Sequence, residues 1–234
     1  MQAKGWLYGY GLTAVLHGLA ILAGWETIRF ITKPLLMIIL LVWFLFTANK
    51  GAKVRHWIST AIFFSWLGDI FLMNEGDQYF MAGLGSFLLA HLCYIFFFTF
   101  IRTGQSKMPA WNIYILVALS LYVGIFYFFL APHLNNTLKP PVFIYAFVIA
   151  AMFASAYHAF SIRKSGSGLL CITGAALFIL SDSLLAINAF IIPFTGASLA
   201  VMTTYILAQL TIVKGAQLCT EQAINERMAL KSKL

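Results

Sequence analysis

The sequence predicts an all-α, polytopic integral membrane protein with about eight transmembrane helices, and three observations carry that expectation. The composition is 62% hydrophobic and only 9% charged, with a mean hydropathy of +0.89, whereas about a quarter of the residues of a soluble domain are charged. The apolar residues fall into runs long enough to span a bilayer, each needing about 20 residues. Lys and Arg collect in short clusters between those runs, as the positive-inside rule requires. The formal charge of +8 is therefore read as topology, and nucleic acid is excluded as a partner.

Taken in order, the apolar runs place spans near 6–24, 30–48, 57–73, 80–101, 111–131, 140–161, 168–191 and 197–217. The first follows Lys4, as a signal peptide would, but no small-x-small cleavage site follows it, so it is assigned as a helix of the domain. The chain then forms a single transmembrane domain over 1–234, with a short polar tail at about 218–234. Lys33 and Pro34 are expected to open the second span, Pro being suited to a first helical turn. One side of the membrane collects Lys4, Lys50, Lys53, Arg55, Arg102, Lys107, Arg163, Lys164, Lys214, Arg227, Lys231 and Lys233, and the other only Arg29, Lys33 and Lys139. That bias places both termini in the cytoplasm, and the expected location is a bacterial inner membrane.

The third and seventh spans each contain a carboxylic acid, Asp69 in FFSWLGDIFLM (63–73) and Asp182 in LFILSDSLLAI (177–187). An ionisable residue in a span costs about 2.5–3.5 kcal/mol on insertion scales and faces the bundle interior or a wet cavity. Counted from the starts of their segments, both lie roughly 18–21 Å in. They are 113 residues apart, close to half the chain. GDIFLM and SDSLLA align weakly, which suggests two parallel four-helix halves. Two facing carboxyl groups in one water-poor cavity can give and take a proton within a single reaction.

Polar companions lie nearby in sequence or at matching depth. His91 stands in FLLAHLCYIF with Tyr94 one turn away. Tyr205 and Gln209 share a helix face at i, i+4. Lys33 near the outer interface reaches either lipid phosphate or an anionic substrate. For all of these the alternative role is interhelical hydrogen bonding, and His17 and His158 are expected to be structural. Glu75 and Asp77 look solvated. Cys93, Cys171 and Cys219 are widely separated packing residues, and no His or Cys cluster has metal-ligand spacing.

The set TKPLLM (32–37), FFSWLGDIFLM, GLGSFLLAHLCYI (83–95), GAALFILSDSLLAI (174–187) and TTYILAQLTIVKG (203–215) resembles the YhhN family of eight-helix membrane proteins, which includes lysoplasmalogenases. Ile206 departs from a pattern with a second Tyr at that position. The resemblance implies hydrolysis of the vinyl-ether bond of a lysolipid, lysoplasmenyl-ethanolamine or -choline, to a fatty aldehyde and the glycerophospho head group, without a cofactor. Asp69 and Asp182 would then be catalytic, and Lys33, His91, Tyr205 and Gln209 would hold substrate or water. Three other classes compete. A proton- or cation-coupled transporter would use the Asp pair as its ion site. An intramembrane aspartyl protease would need Gly at Trp66 to complete Gly-x-Gly-Asp. A lipid-binding scaffold would leave both Asp residues replaceable.

Overall fold

The computed structural model describes residues 2–48, 53–105, 110–160 and 166–231, with side chains for 4–48, 54–105, 110–160 and 166–221. Eight α-helices follow one another: α1 (Gln2–Ala23), α2 (Glu26–Thr47), α3 (Lys53–Phe71), α4 (Asp77–Thr103), α5 (Ile113–Leu130), α6 (Lys139–Phe160), α7 (Gly166–Ala186) and α8 (Ala197–Lys231). The protein is a polytopic all-α membrane protein. Seven of these helices are long and apolar enough to cross a bilayer among the described residues. The exception is α3, whose Lys53, Arg55, His56, Ser59, Ser65 and Asp69 lower its hydropathy. It is nonetheless at the centre of the bundle, packed on α2, α4 and α8. A helix this polar is stable there because its neighbours, not lipid, receive its side chains.

Sequential helices pair as α1 with α2, α3 with α4, α5 with α6 and α7 with α8, and α2 packs on α3 as α6 packs on α7. Of the longer-range pairs, α4 with α6 and α8 with α2 are also exchanged by a shift of four helices, whereas the packing of α8 on α1 and α3 is not matched to the same extent by α4 on α5 and α7. Small residues allow the closest approaches, as in other membrane bundles. A Cβ on Gly215 would stand 2.5 Å from Cys171 Sγ and one on Gly174 2.6 Å from Ile212 Cγ1, so α7 and α8 meet backbone to backbone. A Cβ on Gly68 would meet the Phe87 ring at 2.6 Å, which fixes the α3–α4 distance beside Asp69. The main core draws on every helix except α5, with Phe44, Phe97, Phe98 and Phe178 fully buried. By contrast α5 shows most of its surface to the surroundings, Tyr114 being 82% exposed.

One expectation is corrected. α2 begins at Glu26, so Pro34 lies inside the helix and not in its first turn. The polar residues Glu26, Thr27 and Arg29 end the apolar run without ending the helix. Pro34 has no N–H for the Phe30 carbonyl, a defect that membrane helices tolerate where neighbours enclose it. Asp69 and Asp182 lie two and four residues before the ends of α3 (Phe71) and α7 (Ala186), so both carboxyl groups stand near the same end of the bundle.

Of the basic residues assigned to the cytoplasmic side, Lys50, Lys107, Arg163, Lys164 and Lys233 lie outside the described residues, as do the side chains of Lys53, Arg227 and Lys231. The polar stretch from 218 continues α8 without a break to Lys231.

Candidate active site

The candidate side chains gather at the end of the bundle where α3 turns into α4 and α7 into α8. α3 and α8 are antiparallel there, and each contributes an i, i+4 pair to their contact. The Tyr205 hydroxyl donates to Asp69 Oδ2 at 2.8 Å and Gln209 Nε2 donates to Ser65 Oγ at 2.9 Å. Gln209 Oε1 accepts from the Tyr94 hydroxyl at 2.6 Å. Tyr205 and Gln209 therefore share a face as expected, but they serve different levels. Tyr205 lines a cavity, whereas Gln209 lies beneath it, fully buried and bonded on both sides.

Asp69 is buried, and its second oxygen faces the Lys33 ammonium from α2, Nζ to Oδ1 being 3.8 Å. Asp182 is enclosed differently. The Tyr145 hydroxyl from α6 donates to Asp182 Oδ2 in a short hydrogen bond, and His91 Nε2 from α4 is 3.0 Å from that hydroxyl and 3.7 Å from the same carboxylate oxygen. With Tyr145 O–H directed at Asp182, His91 donates from Nε2 and its Nδ1 is left a lone pair, which has no partner among the described residues. Each aspartate thus takes one partner from the preceding helix and one from the last helix of the other half: α2 and α8 for Asp69, α6 and α4 for Asp182. The shift of four helices exchanges the two sets of helices but not their chemistry. One carboxylate meets an ammonium and a phenol, the other a phenol and an imidazole.

Both aspartates line one cavity of about 330 Å³, together with Lys33, Phe87, Leu185, Met202 and Tyr205. Phe87 and Phe178 stand edge-on to Tyr205, at 5.8 and 5.5 Å between centroids, and Phe178 stands edge-on to His91 at 4.6 Å. These rings fix the polar groups between them and exclude water from the floor. Two smaller spaces adjoin. Beside Asp182 an apolar cavity of about 70 Å³ is bounded by Phe80, Tyr122, Phe126, Ala146 and Ile149. Beyond Lys33 a polar cavity of about 250 Å³ is bounded by His17, Glu26, Arg29, Asn188 and Ser198. Among the described residues no group of His, Cys, Asp and Glu has the arrangement to hold a metal ion.

Sequence reasoning missed Tyr145 and Ser65, and it placed Tyr94 beside His91, whereas its hydroxyl bonds Gln209. Tyr145 was detectable as the seventh residue of its helix, a phenol at the depth of Asp182, but one tyrosine in a chain that is 16% aromatic carries little signal. Ser65 stands one turn before Asp69 on the same face. His158 caps α5, accepting from the Asn112 N–H at Nε2, and His17 bonds Thr32 Oγ1 at 2.7 Å. No disulfide joins Cys93, Cys171 and Cys219 among the described residues. Asp77 is exposed and accepts from Asn135 Nδ2.

The YhhN family profile matches residues 28–216, which includes every residue of this site except His17 and Glu26. The chain belongs to the YhhN family. It is 30% identical over 180 residues to lysoplasmalogenase TMEM86A of Bos taurus, covering 74% of this chain and 72% of that protein. Lysoplasmalogenase TMEM86B of Homo sapiens is 29% identical over 181 residues, covering 77% and 72%. A lysoplasmalogenase of Mycobacterium bovis is 28% identical over 171 residues, covering 72% and 63%. No solved structure matches the chain.

Proposed function

We propose that this YhhN protein is a membrane hydrolase that cleaves the vinyl-ether bond of a lysoplasmalogen, using Asp69 and Asp182 as an acid and a base. The observation that carries the reading is the shared cavity: two carboxyl groups at one depth, each held by its own tyrosine, facing one space with an apolar pocket on one side and a cationic one on the other. An ion site has no use for the apolar pocket, whereas a single-chain lipid needs it. Relatives named lysoplasmalogenase supply the bond to be broken.

The partners differentiate the two acids. Asp69 faces an ammonium and serves as the carboxylate. Asp182 has only Tyr145 and His91 and serves as the acid. Asp182 gives its proton to the β-carbon of the vinyl ether, and the positive charge spreads over the α-carbon and ether oxygen. Asp69 lies where it stabilises that oxocarbenium ion and takes a proton from the water that adds to the α-carbon. Glycosidase carboxylate pairs act on a similar ion. The hemiacetal then collapses: its C–O bond to glycerol breaks, Asp69 returns the proton to the glycerol oxygen, and the hemiacetal hydroxyl proton restores Asp182. Water is consumed, and an aldehyde and a glycerophospho head group leave. Tyr205 and Tyr145 orient the carboxylates, and His91 orients Tyr145. The polar network under the cavity, Gln209 with Ser65 and Tyr94, fixes α3 against α8.

The orientation that fits the basic loops has both termini in the cytoplasm, of a bacterial inner membrane, with the site toward the opposite face. The test is aldehyde release from lysoplasmenyl-ethanolamine and -choline by purified protein. Asp69→Asn and Asp182→Asn, each confirmed as folded, are expected to lower the rate by about 10²–10⁴-fold, as loss of an acid or base does. No aldehyde from folded wild type with either head group sinks the reading.

A further inference from the structure

The polar cavity beyond Lys33 has a charge pattern that the hydrolytic chemistry does not use. Arg29 and Lys33 lie one turn apart on one face of α2, and both enter this cavity. Lys33 is largely buried, and among the described residues its ion-pair partner Asp69 stands at 3.8 Å from Nζ to Oδ1, beyond hydrogen-bond distance, so its ammonium, which lines both cavities, has donors to offer a ligand. Arg29 Nη1 is bound at 2.5 Å to Glu26 Oε1, and Glu26 is at the rim with a side chain 76% exposed. Two cations therefore share the cavity with one acid, and that acid stands at its mouth. The cavity shares Lys33, Leu72, Leu185, Val201 and Met202 with the one that holds the aspartates. Arg29 and Lys33 lie three and seven residues into α2, about 4–11 Å from its end.

We infer that this cavity is a subsite for a zwitterionic phosphodiester head group, with Arg29 and Lys33 on the phosphate and Glu26 on the terminal ammonium. The inference deepens the function proposed above and rests on it for the lipid. An inner site for one negative charge and an outer acid for one positive charge match the order of charges along a glycerophospho-ethanolamine or -choline. The phosphate in this place puts the glycerol oxygen at the cavity between the aspartates and the hydrocarbon beside Asp182. Guanidinium and carboxylate would exchange their mutual contact for contacts to the ligand, so the pair also guards the site when it is empty of lipid. Selection among single-chain ethers is then made at Arg29 and Glu26, away from the reacting carbons.

The test uses saturated alkyl ethers, which cannot be hydrolysed, with one chain length and three ends: alkylglycerol, its phosphomethanol diester and its phosphoethanolamine diester. Dissociation constants are measured by calorimetry with the full-length protein in an uncharged detergent. Wild type is expected to bind the phosphomethanol ligand about tenfold tighter than the alkylglycerol, a difference of about 1.4 kcal/mol, and the phosphoethanolamine ligand tighter again. Arg29→Gln is expected to erase most of the first step and Glu26→Gln only the second, while Arg29→Lys keeps part of the first. Equal affinity of wild type for all three ligands overturns the proposal without any variant. So does an Arg29→Gln protein whose loss is the same for alkylglycerol as for the diesters. Because binding is read without turnover, phosphate-dependent binding by a protein that releases no aldehyde would sink the hydrolase reading and keep this one; phosphate-indifferent binding by an active enzyme would do the reverse.

Discussion

Removing one member of a buried pair of opposite charges costs more than removing both, because the survivor is left in a medium that cannot solvate it. Lys33 and Asp69 form such a pair, at 3.8 Å, with the Asp69 side chain 3% and the Lys33 side chain 17% exposed. Lys33→Met is therefore expected to lower the thermal midpoint more than the double replacement Lys33→Met, Asp69→Asn does. Differential scanning fluorimetry of the four proteins checks it; a double variant less stable than Lys33→Met would mean that the ammonium serves the ligand and not the carboxylate. The tyrosines allow a finer prediction. Tyr205→Phe and Tyr145→Phe each delete one hydroxyl that holds an oxygen of Asp69 or Asp182, the two acids proposed for the reaction, and leave the ring packing. A hydrogen bond to a charged group is worth about 1.5–3 kcal/mol; Asp69 carries that charge throughout and Asp182 acquires it as it gives up its proton, so kcat is expected to fall about 10–100-fold with KM nearly unchanged. His91→Gln, which removes the imidazole bonded to Tyr145 and 3.7 Å from Asp182 Oδ2, should be equivalent in direction and should add little once Tyr145 is already Phe if its main route is the hydroxyl. Additive losses in the double variant would instead place His91 in direct contact with the reaction.

At the level of the helices, small residues set the distances on which those hydrogen bonds depend. Gly215→Ala would drive a Cβ to within 2.5 Å of Cys171 Sγ and 2.7 Å of the Ser167 carbonyl. Overpacking of this kind costs about 1–3 kcal/mol, and here it separates α7 from α8, so stability should fall first and activity with it. Gly68→Ala is expected to be worse for activity than for stability, because the Phe87 ring it displaces packs on Tyr205. Melting temperature and aldehyde release measured side by side separate the two effects. The eight helices themselves were legible from sequence because lipid imposes one rule, a long run without charge, and each run found a helix. Their ends were not, since that rule responds to lipid contact and not to hydrogen bonding: α2 runs through Glu26 and Arg29 before the apolar stretch begins, which is why Pro34 was misplaced. Asp69 and Asp182 were legible for the converse reason, a carboxylate in an apolar run having nowhere else to go. Tyr145 and the α4–α6 contact that brings His91 to it were not legible, because they depend on helix pairing across the two halves, which no local pattern encodes.

At the scale of the molecule, the two halves build one cavity from exchanged partners but surround it asymmetrically, and that asymmetry decides how a lipid lies in it. The cationic space adjoins Lys33 and Asp69, and the apolar space adjoins Asp182 between α5, α6 and α7. A vinyl ether that joins a phosphate-bearing glycerol to a hydrocarbon can then be placed in one direction only, with its β-carbon toward Asp182 and its glycerol oxygen toward Asp69. The apolar space, at about 70 Å³, is small enough to hold only the first carbons of the chain, each methylene buried contributing about 0.8 kcal/mol. Ala146 lines it with no side chain beyond Cβ, so Ala146→Phe should fill it from the α6 side, opposite Asp182 on α7. Long-chain alkenyl substrate is expected to lose most of its kcat/KM, whereas a glyceryl vinyl ether whose carbon chain stops at the double bond should lose far less. The ratio of the two rates is the measurement. If Ala146→Phe depresses both equally, the chain does not lie beside Asp182, and the assignment of that residue as the acid falls with it, since the β-carbon would then point elsewhere.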